Sequence, residues 1–349
     1  MKYSPLTVLD IREEIGGQAK TVIFEVSDWD TWNWKAGQHL PIKLMINGEE
    51  VRRSYSISAS PDTEDGLRIT VKRVKGGLVS NHINDHIQPG DVIEAAVPNG
   101  QFTLEPGDTK RRTHYFFGAG SGITPLYAML SSVVAAEPWS TIHLAYGNNN
   151  EQSILLDDEI NAMWEAAADR MTVHHIFSNP GWWSASDYWR KGRIDQAAIE
   201  ALFAENPPYA QDAQYYICGP GGMNKAVKQA LMALDVPASR IHMESYGGAA
   251  ELDTSFEGMA SEVALTLNGA THTIDVAAGQ TILKAAQTAG LTPPFSCQSG
   301  VCGTCRAKRM EGDIHLRSRA ALDDTDIANG VVLTCQALPI SERVSISYD

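Results

Sequence analysis

The stretch CQSGVCGTC, residues 297–305, holds three cysteines in nine positions, and we call it the cysteine loop. A fourth cysteine, Cys335, follows 30 positions after the last of these, which gives C-x4-C-x2-C with one distant partner. This spacing is typical of the plant-type ligand set for a 2Fe-2S cluster. Because the cluster is compact, three thiolates come from one tight loop and the fourth from another strand. Gly300 and Gly303 let backbone N–H groups turn toward the sulfurs and tune the reduction potential.

The predicted cluster ligands are Cys297, Cys302, Cys305 and Cys335. Two other interpretations of these thiols stay open. Structural zinc usually takes ligands in pairs spaced by two to four residues, which fits this set less well. Inert or redox-active thiols are the third interpretation. The fifth cysteine, Cys218, makes the count odd, which argues against a disulfide framework in a reducing compartment.

The sequence on either side of the cysteine loop predicts a small domain. EVALTLNGATHTIDV, residues 262–276, alternates apolar and polar residues around Asn-Gly, which indicates a β-hairpin. TILKAAQTAGL, residues 281–291, has helical spacing and ends near a glycine. VVLTCQA, residues 331–337, carries the fourth cysteine on a predicted strand. The order of these elements over residues 260–349 resembles the plant-type ferredoxin fold, an α+β arrangement of the β-grasp type.

Length and composition exclude several classes of protein. A chain of 349 residues is too long for one ordinary core, so we expect more than one domain. Its 43% hydrophobic and 20% charged content is typical of a globular protein. The start lacks the pattern of a signal peptide and no apolar run is long enough to span a bilayer, which predicts a cytoplasmic protein. A net charge of −14 argues against nucleic acid or an anionic membrane as a partner.

The first hundred residues read as short strands between turns, as in QHLPIKLMI (38–46) and GLRITVKRV (66–74), which predicts an antiparallel β-barrel. Within them, RRSYSIS (52–58) resembles the R-x-Y-S motif of the ferredoxin-reductase flavoprotein family. The resemblance implies a flavin whose ring packs on the tyrosine and whose phosphates contact the arginine and the serine. An aromatic face and a guanidinium suit these partners. The residues concerned are Arg53, Tyr55 and Ser56.

A second stretch, VKRVKGGLVSNHI (71–83), runs from a strand through a glycine turn into a helix. The N-terminus of a helix after such a turn is a ready anion site. In the same family this segment holds the flavin pyrophosphate, which implies cofactor contacts for Val71, Lys72, Gly77, Leu78, Val79 and Ser80. Together with R-x-Y-S it resembles the FAD-binding members more than the FMN-binding ones, so we predict FAD.

The middle of the chain alternates strands and helices, which predicts an α/β domain with a parallel sheet. In HYFFGAGSGITPLYAM (114–129) a buried strand, a glycine-rich turn and a helix follow one another. The turn is not the Rossmann fingerprint G-x-G-x-x-G, because Ile123 stands where that motif has its last glycine. The observed form resembles the pyridine-dinucleotide loop of the ferredoxin-reductase family, where glycines and the helix dipole accommodate a pyrophosphate. The implied cofactor residues are Gly118, Gly120, Gly122, Thr124 and Pro125.

Two further stretches resemble the nicotinamide side of that family. CGPGGM, residues 218–223, matches its C-G-P motif, and HMESY, residues 242–246, matches the end of its nucleotide domain. The resemblance adds Cys218, Gly219, Pro220 and Tyr246 to the cofactor-binding residues. It implies that hydride passes near Thr124, Cys218 and Glu244, which we predict as the catalytic residues.

The whole chain resembles reductase components in the order flavin barrel (1–107), NAD(P)-binding α/β domain (108–246), linker (247–259) and 2Fe-2S ferredoxin domain (260–349). Its ending resembles most of all the reductase components of phenylacetyl-CoA epoxygenase complexes. The resemblance implies an enzyme that takes hydride from NAD(P)H onto FAD. Single electrons then pass through a 2Fe-2S cluster to a partner oxygenase.

Several points stay open from the sequence. The predicted loops YGNNNEQSILLDDE (146–159) and FSNPGWW (177–183) lack Arg and Lys, the side chains that hold a 2′-phosphate. This favours NADH slightly, although Arg190, Lys191 and Arg193 follow nearby. The same electron chain also serves acyl desaturases and hybrid-cluster or nitrogen-metabolism enzymes. A non-catalytic metal-binding scaffold is the interpretation from a different class.

Overall fold

The computed structural model describes residues 2–63, 65–181, 189–245, 252–322 and 324–349. The chain divides into two compact units, whose main segments are Tyr3–Tyr246 and Gly247–Asp349. None of the described helices is long and apolar enough to cross a bilayer.

The first half of the larger unit is an antiparallel sheet with strand order β4-β3-β6-β1-β2-β5. A bridge between Ile57 and Ile69, just after β4, brings the two edge strands together. Ser58 N–H donates to the Arg68 carbonyl at 3.0 Å and continues this pairing. The sheet therefore closes on itself around a core of buried Leu, Ile and Val side chains, which confirms the predicted barrel. Its strands and the helix after β5 are β1 (Tyr3–Glu14), β2 (Ala19–Glu25), β3 (His39–Ile46), β4 (Glu49–Ser56), β5 (Arg68–Lys72), β6 (Val92–Ala96) and α1 (Leu78–His86).

The second half of this unit is a parallel six-stranded sheet with order β10-β9-β8-β7-β11-β12. The chain moves outward from β7 to β10 and then returns to the other side of β7 for β11 and β12. The strand order thus reverses between β7 and β11, where open α/β sheets bind their ligands. The elements are β7 (Thr113–Ala119), α2 (Ile123–Ala136), β8 (Thr141–Asn148), α3 (Asp157–Ala166), β9 (Met171–Phe177), β10 (Arg190–Lys191), α4 (Gln196–Glu205), β11 (Ala213–Gly219), α5 (Gly221–Ala233) and β12 (Ile241–Ser245).

The barrel and the parallel sheet pack directly against each other within the larger unit. The hydroxyls of Ser60 and Ser132 are 2.7 Å apart and join a barrel loop to α2. Arg68, which is almost fully buried, donates to the Ser58 carbonyl at 2.8 Å. Its guanidinium also lies 3.8 Å from the carboxylate of Glu159 on α3. A buried charge needs such partners, so this contact joins the barrel to α3.

The smaller unit contains a mixed five-stranded sheet with order β14-β13-β19-β15-β17. Strands β13 and β19 are parallel and the other pairs are antiparallel, and α6 buries one face on this sheet. This is the β-grasp arrangement of a ferredoxin domain, as predicted. The elements are β13 (Ser261–Leu267), β14 (Ala270–Val276), α6 (Ile282–Thr288), β15 (Arg306–Glu311), β16 (Ile314–Leu316), α7 (Asp324–Ala328), β17 (Val331–Leu333), β18 (Ala337–Pro339) and β19 (Arg343–Ser347).

The predicted hairpin turn between β13 and β14 is formed by Asn268 and Gly269. Both have positive φ, at 54° and 75°, as a tight hairpin turn requires. Their N–H groups donate to the side-chain carboxylate of Asp349 at 2.8 and 2.7 Å. The turn is therefore capped by a residue at the far end of β19.

Residues 252–259 of the predicted linker lie against the smaller unit, and residues 247–251 lie outside the described residues. Asp253 N–H donates to the Arg317 carbonyl at 2.9 Å, and Met259 N–H donates to the Pro339 carbonyl at 3.0 Å. The ring of Phe256 stands 5.1 Å from that of His315. This segment thus extends along β16 and β18.

Candidate functional site

The four predicted cluster ligands come together in the smaller unit. The cysteine loop lies between α6 and β15, and Cys335 lies between β17 and β18. Cys305 and Cys335 are buried, whereas Cys297 and Cys302 are partly exposed. Buried Leu283 and Leu333 pack with the inner pair. The inner thiols are therefore shielded by apolar side chains while the outer ones approach the surface.

The thiols form two hydrogen-bonded pairs, one of Cys297 with Cys302 and one of Cys305 with Cys335. The hydrogen bond within each pair lowers the pKa of Cys297, to about 5, and the pKa of Cys335. Two pairs suit two irons with two thiolates each, whereas structural zinc gathers four ligands at one point. The donor set thus fits a 2Fe-2S cluster.

Backbone N–H groups of the cysteine loop point at these sulfurs. Ser299 N–H donates to the Cys297 sulfur at 3.4 Å, and Gly300 N–H bonds the Cys335 sulfur. Gly300 has a φ of 79°. A Cβ there would stand 2.9 Å from Cγ of Gln336. Glycine is therefore required at 300 by its φ and by the closeness of this neighbour, and the hydrogen bonds are those expected around a cluster.

The R-x-Y-S residues lie on β4 beside β3. Arg53 and Tyr55 are two residues apart and therefore share one face of the strand, with Arg53 exposed and Tyr55 partly buried. Burial raises the pKa of Tyr55, so the ring is uncharged at neutral pH. Ser56 is buried, and its hydroxyl has no hydrogen-bond partner among the described residues. A charged, an aromatic and an unsatisfied polar group thus stand at the end of one strand.

The glycine turn after β5 leads into α1 as predicted. Gly76 is left-handed at a φ of 72°, and Gly77 is the N-cap residue of α1. A Cβ on Gly77 would stand 2.5 Å from the Ser80 hydroxyl, so the turn and the hydroxyl are in close contact. The Ser80 hydroxyl is buried without a hydrogen-bond partner in the described parts of the chain. An unsatisfied hydroxyl at a helix N-terminus fits a phosphate.

The other four predicted residues of this segment differ in exposure. Val71 and Val79 are buried in the barrel core, so their side chains pack and only their backbone groups are available to a cofactor. Lys72 is partly buried, which lowers its pKa. Leu78 is exposed. Of these four side chains, those of Val71 and Val79 belong to the barrel core, whereas those of Lys72 and Leu78 are accessible to a cofactor.

His39 is a polar residue of this region that the sequence motifs do not include. It pairs in register with Ser56 and exchanges backbone hydrogen bonds with Asn99 at 2.8 and 3.0 Å. Burial lowers the pKa of His39 to about 4, so the imidazole is neutral at pH 7. Its Nε2 atom lacks a hydrogen-bond partner among the described residues. A single histidine carries no spacing pattern, so only its place beside the R-x-Y-S motif identifies it.

The two glycine-containing turns of the parallel sheet meet at the point where the strand order reverses. Cys218 on β11 pairs in register with Gly118 on β7 and with Glu244 on β12. A Cβ on Gly122 would stand 2.1 Å from the Cys218 carbonyl oxygen, so only glycine fits there. Gly120 in the same turn has a φ of 52°. The turns after β7 and β11 are thus in backbone contact, and they build the crevice in which a dinucleotide is expected.

The predicted catalytic residues lie at this crevice. Cys218 is fully buried, and burial together with the charge of Glu244 raises the pKa of its thiol. The Thr124 hydroxyl is buried in the first turn of α2 and donates to the Ser121 carbonyl at 3.0 Å. Glu244 is partly buried at the end of β12. The thiol therefore stays protonated and uncharged beside a carboxylate.

The remaining predicted cofactor residues of this sheet are Pro125, Gly219, Pro220 and Tyr246. Pro125 lies in the first turn of α2, where no hydrogen-bonded N–H is lost. A Cβ on Gly219 would stand 2.8 Å from Cε of Met223, and Pro220 is the N-cap residue of α5. Tyr246 lies outside the described residues.

Three domain families match consecutive parts of the chain. "Oxidoreductase FAD-binding domain" matches residues 7–104, "Oxidoreductase NAD-binding domain" matches residues 116–229, and "2Fe-2S iron-sulfur cluster binding domain" matches residues 265–339. One component of the 1,2-phenylacetyl-CoA epoxidase of Escherichia coli K12 is 30% identical over 353 residues, which cover 99% of this chain and 98% of that protein. The chain belongs to the family of FAD- and 2Fe-2S-binding oxygenase reductase components.

A second member of this family is similar along its whole length, and two solved structures share the fold. The ferredoxin reductase component of 3-ketosteroid-9-alpha-monooxygenase from Rhodococcus rhodochrous is 31% identical over 98% of this chain and 96% of its own length. Phthalate dioxygenase reductase has the same fold, with a TM-score of 0.60 at 22% identity, over 99% of this chain and 98% of that one. An intact type IV self-sufficient cytochrome P450 monooxygenase has the same fold over part of its chain, with a TM-score of 0.73 at 23% identity. The match covers 99% of this chain and 41% of that one.

The family assignment gives the class of activity and the cofactors. The protein is an NAD(P)H-dependent oxidoreductase that uses FAD and a 2Fe-2S cluster and serves as the reductase component of an oxygenase system. The resemblance seen in the sequence is thereby confirmed, as are the cofactors it implied.

Proposed function

We propose that this reductase binds its 2Fe-2S cluster through Cys297, Cys302, Cys305 and Cys335 and passes electrons from it to an oxygenase. The observation that carries the proposal is the arrangement of the four thiols as two pairs, with backbone N–H groups directed at the sulfurs. The nicotinamide supplies two electrons as hydride, the flavin accepts both, and the cluster takes one at a time. The protein contributes the position and the electrostatics of each group.

On the flavin side, we assign phosphate binding to Arg53 and to the N-terminus of α1 with Ser80. The exposed guanidinium and the unsatisfied hydroxyl supply the donors that a pyrophosphate needs. The partly buried ring of Tyr55 offers an aromatic face to the flavin ring. Ser56 and His39, both buried and both with an unsatisfied polar atom, offer hydrogen bonds to the polar edge of that ring.

On the nicotinamide side, we assign the pyrophosphate to the turn of Gly118, Gly120 and Gly122 and the N-terminus of α2. The uncharged Cys218 thiol and the buried Thr124 hydroxyl form one wall beside which the nicotinamide lies. Glu244 places a negative charge next to that wall, where it favours the positive charge that the nicotinamide ring gains on losing hydride.

We propose NADH as the preferred donor. The loop after β8 offers Asn148, Asn149 and Asn150, none of which carries the positive charge that a 2′-phosphate requires. Arg190 on β10 is already engaged, because its guanidinium stacks 4.7 Å from the ring centre of Trp189. Steady-state kinetics with both donors test this: we expect kcat/KM to be higher for NADH, and a value about tenfold higher for NADPH would contradict it.

We further propose that the protein acts in the cytoplasm and that its domains are residues 1–107, 108–246 and 260–349. An odd count of five cysteines and a ligand set that needs free thiolates support a reducing compartment. An oxygenase is favoured as the electron acceptor over a desaturase or a nitrogen-metabolism enzyme, because the relatives described above are components of a monooxygenase and of an epoxidase.

Cys302→Ser tests the assignment of the cluster. Serine is a harder and less easily ionised ligand than thiolate, so we expect iron and sulfide to be lost. Reduction of ferricyanide, which takes electrons from the flavin directly, should persist near the wild-type rate, while reduction of cytochrome c and of the oxygenase should fall to background.

Val301→Ala is the matched control, since it changes the same loop but keeps all four thiols, the Ser299 hydroxyl and the backbone N–H groups that face Cys297. We expect it to retain the iron–sulfur absorbance and both activities. A Cys302→Ser protein that keeps its cluster spectrum, or that reduces cytochrome c normally, would refute the assignment.

A further inference from the structure

The two residues on either side of the fourth cysteine both reach back to the cysteine loop. The Thr334 hydroxyl donates to the Cys305 carbonyl at 3.0 Å, near the end of the loop. The Gln336 side-chain amide donates to the Gln298 carbonyl at 2.9 Å, near its start. Both side chains are almost fully buried. The turn that carries Cys335, between β17 and β18, is thus fastened to both ends of the segment that carries the other three ligands.

The bond from Gln336 holds backbone in a conformation that is unfavourable for a residue with a Cβ. Gln298 has a φ of 57°, a left-handed conformation that residues with a Cβ rarely adopt. Its side chain is exposed, so packing of that side chain does not maintain the conformation. The N–H donor of Gln336 on its carbonyl is therefore a contact that helps to stabilise this turn.

Gln336 also contacts a ligand sulfur. Its Nε2 atom lies 3.6 Å from Sγ of Cys335, within hydrogen-bond range for sulfur. Because both nearby groups, the Gln298 carbonyl and the Cys335 sulfur, are acceptors, the amide nitrogen must face them and the amide oxygen must point away. The oxygen has no partner among the described residues. The orientation of the amide is thus set by the cysteine site itself.

Thr334 is oriented by a third buried group. The Tyr348 hydroxyl donates to the Thr334 hydroxyl at 2.7 Å. Burial raises the pKa of Tyr348, so it remains a neutral donor at the pH of the cell. Thr334 accepts this bond and donates its own proton to the Cys305 carbonyl. Both hydrogen bonds of the Thr334 hydroxyl are therefore assigned, one to the Cys305 carbonyl and one from Tyr348, and neither involves a sulfur.

We propose that Thr334 and Gln336 are positioning residues for the cluster, and that Gln336 also raises its reduction potential. This rests on the proposed assignment of the four cysteines. The two bonds fix the cysteine loop against the fourth ligand, which slows loss of the cluster. The N–H···S bond favours the reduced cluster, whose sulfurs carry more negative charge, and so makes reduction easier.

Two substitutions separate the two effects in the full-length protein. Gln336→Met keeps the length of the side chain and removes the donor. We expect a more negative midpoint potential in a redox titration followed by electron paramagnetic resonance, and severalfold faster bleaching by an iron chelator. Thr334→Val removes the bonds of this hydroxyl to the Cys305 carbonyl and to the Tyr348 hydroxyl but none to a sulfur, so we expect faster bleaching with an unchanged potential.

Gln280→Met is the matched control, because its side chain accepts a hydrogen bond from Ala277 N–H at 3.1 Å in a turn of the same domain and bonds no cysteine. It should match the wild type in both measurements. If Gln336→Met does not retain its fold by circular dichroism, Gln336→Asn, which keeps an amide too short to reach Gln298, is measured instead and should also bleach faster.

Wild-type potential and bleaching rate in the Gln336 variant would overturn the inference. A potential shift in Thr334→Val equal to that in Gln336→Met would also overturn it, since the shift would then not come from the N–H···S bond. Failure of the underlying assignment looks different, because the wild-type protein would then show no 2Fe-2S spectrum after reconstitution with iron and sulfide.

Discussion

At the scale of the residue, the flavin side of the molecule is marked by buried polar atoms with no hydrogen-bond partner among the described residues. Ser56, Ser80 and His39 each carry one. Such atoms cost free energy unless a ligand satisfies them, so they concentrate where a ligand binds. Their grouping on β3, β4 and the N-terminus of α1 supports the proposed position of the cofactor by an observation separate from the motifs.

Arg53→Ala should weaken FAD retention by about tenfold or more, because a charge-assisted hydrogen bond to phosphate contributes roughly 1.5–3 kcal/mol. The dissociation constant is measured from the recovery of flavin fluorescence on dilution. Arg52→Ala is the control, since the neighbouring Arg52 pairs with Glu50 at 2.7 Å and is assigned no cofactor contact. Equal flavin loss in both variants would contradict a specific phosphate contact for Arg53.

The sequence predicted the cluster ligands because three of them are close in the chain and their spacing reflects the geometry of the cluster. It did not predict Gln336 or His39. Gln336 acts on Gln298, 38 positions away, and His39 acts beside Ser56 and Asn99 on other strands. Such partners are determined by strand register, which no local pattern in one sequence records.

At the scale of the element, the nucleotide site depends on two turns that touch through their backbones. The turn of Gly118, Gly120 and Gly122 enters α2, and the turn of Gly219 and Pro220 enters α5. Both helices thus begin at the same crevice, and both direct the positive end of their dipoles toward it. The closeness of the turns is consistent with the proposal that one dinucleotide contacts both.

Gly122→Ala should destabilise the protein by at least about 2 kcal/mol, because an added Cβ meets the Cys218 carbonyl oxygen at 2.1 Å and the strands must move apart. NAD(P)H-dependent ferricyanide reduction should fall with it. Thermal unfolding and KM for the donor measure the two effects. Gly222→Ala is the control, because nothing lies within 4 Å of its added Cβ and it lies inside α5, so its stability should stay equal or rise slightly.

Elements whose sequence contains a turn motif or a clear hydrophobic period were predicted, and elements too short to show either were not. The hairpin at Asn268–Gly269 and the helix α6 follow their turn and periodicity signals. The two-residue strand β10 and the short pair of β16 and β18 have too few residues to show any period. They exist because neighbouring strands supply their hydrogen bonds, which is a tertiary cause.

At the scale of the whole molecule, the chain keeps its electron donor side and its cluster in two compact units on one polypeptide. Covalent connection makes the encounter of flavin and cluster intramolecular, so its rate does not depend on protein concentration. Each unit has its own hydrophobic core, which predicts that each folds when separated.

Dividing the chain between Tyr246 and Gly247 tests this prediction. The larger fragment should bind FAD and reduce ferricyanide at the rate of the intact protein. Cytochrome c reduction should need the smaller fragment and rise with its concentration, whereas in the intact chain it is independent of dilution. Dilution-independent cytochrome c reduction by the separated fragments would show that a stable complex, and not the covalent connection, maintains electron transfer.

The contact between Gly122 and Cys218 has a consequence for genetics. The atoms that obstruct an added Cβ are the backbone oxygen and carbon of Cys218, at 2.1 and 2.5 Å, so no replacement of the cysteine side chain removes them. Second-site suppressors of a Gly122→Ala allele should therefore map to residues that set the spacing of β7 and β11, not to codon 218. Over evolutionary time the side chain at 218 can therefore change without regard to residue 122, while a side chain at 122 requires a change in the spacing of β7 and β11.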